Sequence, residues 1–160
     1  MSRGTTPITV LPLQAVRQET EQVMSKNVEL VRESLNAWIE VDEGLADSRR
    51  MDEFFARDAI FAVDENFPEG GELHGVDEFL EWRAGWIESF DDWTYRPEKI
   101  VDAGANRVVG LFYQRGKLRH SGSWIEMRYG IVYYLEGGLI TGGKMYMTPE
   151  GALDAVGRSG

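Results

Sequence analysis

The second half of the chain holds four strand-like stretches, at 93–103, 107–115, 123–135 and 139–147, joined by tight turns at 103–106, 116–122 and 136–138. This constrains the fold more than any other feature, because a parallel crossover needs a dozen or more residues and none of these connections supplies them. The four stretches therefore predict an antiparallel meander. Ahead of them, Val28, Val31, Leu35, Trp38 and Val41 recur at helical steps and predict a helix over 26–42 with Ser25 as its N-cap. A short helix at 49–56 burying Met51, Phe54 and Phe55 follows, then a strand at 59–64 and a loop at 65–72 containing Pro68, Gly70 and Gly71. A helix over 76–90 carries a stripe of Phe79, Trp82 or Arg83, Trp86 and Phe90, and Asp77 and Glu78 suit its positive end. Thr148 caps a last helix that opens with Pro149 and ends at Gly157.

Helices that precede and interrupt the strands, rather than alternating with them, make the fold class α+β. The expected architecture is a curved antiparallel sheet wrapped around helices, with an internal pocket between them. Residues 1–23 read as an extension, flexible or in contact with a partner, because Gly4, Pro7 and Pro12 break regular structure early; residues 24–157 read as a single domain.

Charge and composition narrow the function. A formal charge of −10 without a Lys/Arg cluster argues against nucleic acid and against anionic membrane surfaces. The chain has no cysteine, which excludes disulfides and thiolate metal sites, and its two histidines, His74 and His120, lie far apart. No metal and no cofactor are therefore expected. No apolar run reaches the length of a membrane span and no signal pattern opens the sequence, so the expected location is the cytoplasm. His120 stands in a charged turn, and His74, just before the 76–90 helix, reads as structural. Gly142 and Gly143 read as a close-packed or bulged strand, since none of the Gly-rich phosphate motifs is present.

Taken together, NVELVRESLNAW at 27–38, Leu73–His74–Gly75 followed by 76–86, IVDAG at 100–104, SGSWIEMR at 121–128 and the segment 139–146 resemble the SnoaL-like branch of the nuclear transport factor 2 (NTF2) superfamily. The resemblance spans roughly 24–157. It implies an NTF2-like cone, a homodimer through the outer face of the sheet, and a pocket of the kind used by polyketide cyclases, ketosteroid isomerase and limonene epoxide hydrolase. It also implies that three acid positions of those enzymes are filled here by Met145, Arg115 and Ile131. Asp64 falls near the general base of the isomerase.

The candidate catalytic set is Asp64, Tyr113 and Arg115. Walled in by aromatics, the Asp64 carboxylate would have a raised pKa suited to proton shuttling; otherwise it caps the 65–72 loop or pairs with Arg115. Tyr113 and Tyr129 are expected to face inward. Trp82, Trp86, Met127, Tyr129, Ile131 and Met145 are the candidate ligand-binding residues. The leading expectation is a binder of a small, mainly apolar or aromatic molecule, with acid–base turnover of isomerase or cyclase type as an option. Its alternative is a non-catalytic assembly domain whose cavity is filled by its own side chains.

Overall fold

The computed structural model describes the backbone of residues 12–66 and 71–157, and side chains from residue 26 on. The first eleven residues and the loop positions Pro68 and Gly70 lie outside it. Helix α1 runs Pro12–Asp42, a 3-10 turn occupies Ser48–Glu53, and β1 is Phe55–Val63, followed by β2 at Gly71–His74. Then come α2 (Val76–Glu88), β3 (Phe90–Gly104), β4 (Arg107–Leu118), β5 (Trp124–Glu136), β6 (Leu139–Tyr146) and α3 (Pro149–Ala155).

The six strands form one sheet in the order β2-β1-β6-β5-β4-β3. The expected meander is present, with β3–β4, β4–β5 and β5–β6 all antiparallel. Its turns depend on backbone that side chains resist: Gly104, Ala105 and Asn106 all have positive φ in the β3–β4 turn, as do Gly137 and Gly138 between β5 and β6. The sheet is not wholly antiparallel, because β1 pairs with β6 in parallel. That seam passes a bulge, where a Cβ on Gly142 would meet the Ile60 carbonyl oxygen at 2.4 Å.

Several boundaries differ from the sequence reading, among them the end of the expected 76–90 helix, which stops at Glu88 so that Phe90 opens β3. The first helix begins at Pro12, so Ser25 is an interior position and not an N-cap. Proline suits a first helical position, where its missing N–H is not needed. The short helix is a 3-10 turn, and Phe55 already opens β1, although Met51, Phe54 and Phe55 are buried as expected. The end of the presumed loop pairs with β1 as a four-residue strand, β2.

The two faces of the sheet are covered differently. On the concave face Val31, Leu35 and Trp38 of α1, and Val76 and Phe79 of α2, join Phe61, Phe112, Ile131 and Tyr133 in one core. On the convex face α3 packs Ala152 over Val109 and Val132, with Thr148 accepting a hydrogen bond from the Gly151 N–H as its cap. The rest of that face leaves Ile60, Trp124 and Tyr134 exposed.

Candidate functional site

Strand alternation decides which side chains reach the interior. On β4 the even positions, Val108, Phe112 and Gln114, point into the concave core; on β5 it is the odd ones, Tyr129, Ile131 and Tyr133. Register brings them together: Phe112 lies opposite Tyr129, Ile131 opposite Met145, and Tyr95 opposite Gln114. From above, α2 contributes Phe79, Trp82, Arg83 and Trp86, and α1 contributes Leu35 and Trp38. Between them lies a cavity of about 60 Å³. Eleven of its sixteen described lining residues are aromatic, so its walls offer mostly flat apolar faces. Trp82 and Trp86 are parallel, with ring centroids 6.5 Å apart, and Phe61 stacks on Phe79 at 4.5 Å. Beyond Trp93 and Tyr95, which border both spaces, a groove of about 470 Å³ opens between the ends of α1 and α2 and the start of β3.

Arg83 is the one charged residue among the described lining residues. Both of its terminal nitrogens donate to Asp42, at 2.6 and 2.7 Å, and its guanidinium lies 4.2 Å from the centre of the Trp38 ring. Burial works against the charge, but the bonds to Asp42 outweigh it and hold the pKa above the ordinary arginine value. The lining tyrosines are displaced upward. Burial raises Tyr95, with Arg83 opposing, and burial raises Tyr129 and Tyr133 further, so all three hydroxyls keep their protons at neutral pH.

Five of the six expected ligand-binding residues, Trp82, Trp86, Tyr129, Ile131 and Met145, line this cavity. Met127 packs at the edge of the core without lining it. The expected catalytic set is not assembled. Asp64 sits just beyond β1, where Oδ1 accepts from the Asn66 N–H at 2.9 Å and from its side-chain amide at 3.0 Å, and Oδ2 accepts from the Met147 N–H at 3.3 Å. Those bonds, the Asn66 N–H first, lower its pKa, against the rise expected for a carboxylate walled in by aromatics.

Tyr113 does not face inward. Being odd-numbered on β4 it lies on the convex face, where its hydroxyl donates to Glu126 at 2.9 Å. Arg115 shares that face and lies over the Trp124 ring at 4.0 Å, with Glu126 at 3.8 Å. Neither reaches the Asp64 end of β1. His74 is largely exposed beside Glu72, and His120 lies in the exposed β4–β5 turn.

Sequence reasoning missed Arg83, Trp93, Tyr95 and Gln114 as site residues. A signal for the last was present: in β4 the charges Arg107, Arg115 and Lys117 are all odd-numbered, which marks the odd face as solvent-facing and turns Gln114 inward.

The fold has many solved counterparts. An NTF2-like protein of unknown function from Burkholderia pseudomallei is 18% identical, with 82% of this chain and 98% of that one covered and a TM-score of 0.62. A putative SnoaL-like polyketide cyclase from Jannaschia sp. is 14% identical, with 91% and 90% covered and a TM-score of 0.64. TerC, co-crystallised with polyporic acid, is 15% identical, with 82% and 98% covered and a TM-score of 0.61. No curated protein matches the chain significantly. The model of the SnoaL-like domain matches residues 31–142, which take in the end of α1, every strand through the start of β6 and the whole of α2; the chain belongs to the SnoaL-like domain family, with the NTF2-like fold.

Proposed function

We propose that this protein binds one small, mainly apolar or aromatic molecule inside its cone, and that it does so in the cytoplasm as a homodimer joined through the convex face. One observation carries the reading: the aromatic cavity is also lined by buried polar atoms that have no partner among the described residues. A core packed for its own sake avoids such atoms, since each one left unpaired costs about 1–3 kcal/mol. TerC's co-crystallisation with polyporic acid supports the same use of the fold.

A space of about 60 Å³ is smaller than most ligand sites, and taken alone it favours an interaction domain with a filled interior. The unpaired atoms weigh against that alternative, and the groove beyond Trp93 and Tyr95 gives a larger molecule room to extend. Acid–base turnover is not part of the proposal. No Asp or Glu is among the described lining residues, and Asp64 is held as a weakly basic cap of its own loop. Native mass spectrometry of protein isolated from its natural source tests the proposal, the expected result being a retained small molecule released on unfolding. An empty protein that also gains no thermal stability from any aromatic probe would rule it out.

A further inference from the structure

Trp93 Nε1, the Tyr95 hydroxyl and Gln114 Nε2 are buried without a hydrogen-bond partner among the described residues, and all three side chains line the cavity. They form one patch. Tyr95 on β3 lies directly opposite Gln114 on β4, and Trp93 is two residues along β3 on the same face, its ring centroid 5.0 Å from that of Tyr95. Tyr95 faces the Arg83 guanidinium, 5.8 Å from its ring centre, without a hydrogen bond of good geometry.

Gln114 is the informative member because the direction of its amide is determined. The residue is 2% exposed, and its Oε1 accepts from Trp86 Nε1 at 3.2 Å. An indole N–H can only donate, so the amide oxygen must face Trp86 and the NH₂ group must face away from it. Trp93 Nε1 is likewise a donor only. This wall therefore offers donors and asks for an acceptor. It does not ask for a charge: Arg83 is already matched by the two oxygens of Asp42, and an added anion would stand unbalanced in an apolar space.

Building on the binding function proposed above, we infer that the ligand is an uncharged, flat molecule bearing a carbonyl-type oxygen. That oxygen takes hydrogen bonds from Gln114 Nε2 and Trp93 Nε1, and Gln114, held in orientation by Trp86, sets the selectivity for it.

The test compares three probes of one size by calorimetry: 1-tetralone, its carbonyl-free counterpart tetralin, and the anion 1-naphthoate. Tetralone should bind about tenfold more tightly than tetralin, the scale of one or two net hydrogen bonds. In ¹H–¹⁵N spectra the Trp93 indole and Gln114 amide resonances should move downfield with tetralone and not with tetralin. Trp93→Phe and Gln114→Met should each collapse the ratio between the two neutral probes. Equal affinity for tetralone and tetralin, or tighter binding of naphthoate, overturns the carbonyl inference while leaving the binding function standing. Failure of all three probes to bind overturns both. Should Gln114→Met not fold, Trp93→Phe and the resonance shifts decide the matter.

Discussion

Arg83 and Asp42 stand at the junction of the cavity and the groove, with side chains 15% and 23% exposed. Removing one partner of a buried pair costs about 3–5 kcal/mol, and the partial exposure here scales that down. Asp42→Asn, which strands the guanidinium, should therefore destabilise by about 2–3 kcal/mol in urea unfolding. Arg83→Met, which removes the charge and keeps the length, should cost less; the reverse order would show that the pair does not act this way. Asp64 yields a prediction in pH. Its folded pKa is lowered, first by the Asn66 N–H, so its contribution to stability is fully present above the ordinary carboxylate range and is lost as pH falls through the lowered value. The stability gap between parent and Asp64→Asn should be present at neutral pH and close in acid, and a gap that widens in acid would contradict the hydrogen-bond account. Residue identity alone left this site half legible. The apolar set on α2 and β5 was visible because large aromatics recur at the right period. Tyr113 and Arg115 were misread because a tyrosine on a strand fits either face, and register, which follows from pairing with β5, decides between them.

At the scale of elements, the meander was legible because its turns announce themselves in glycine and asparagine, whereas the parallel β1–β6 seam left no such mark. Its partners are more than eighty positions apart, so no local pattern in the sequence announces the pairing. The four-residue β2 was hidden for a related reason, since Gly71–His74 has no alternation of its own and becomes a strand through β1. Likewise, the apolar spacing from Val28 onward marks where the described side chains of the first helix meet the core, whereas the helix itself already begins at Pro12. The seam offers a direct test. Gly142→Ala would press a methyl against the backbone oxygen of Ile60 at 2.4 Å, a neighbour that cannot swing aside. Overpacking of this kind costs about 1–3 kcal/mol, and thermal unfolding should register it as a lower midpoint. Unchanged stability in Gly142→Ala would mean that the bulge can open without loss.

At the scale of the whole molecule, the two faces of the sheet divide the work. The concave face, under α1 and α2, holds the cavity. Part of the convex face is closed by α3, while Trp124 and Tyr134 remain 48% and 43% exposed. Beside them Arg96 and Arg128 flank the Tyr113 ring at 4.3 and 5.0 Å, and Arg115 lies over Trp124. Aromatic and arginine side chains are the types enriched where proteins meet, and large apolar groups in open water call for a cover. Joining two copies through this surface should bury more than about 1,000 Å² in total. Sedimentation velocity at micromolar concentration should show a dimer, and Trp124→Glu combined with Tyr134→Glu should break it into monomers by placing charges at the contact. Because the proposed ligand enters from the opposite side, the monomeric variant should keep the parent's affinity for an aromatic probe within a few-fold. A parent that sediments as a monomer would rule out the dimer, and a large loss of probe affinity in the variant would mean that the partner helps to form the cavity.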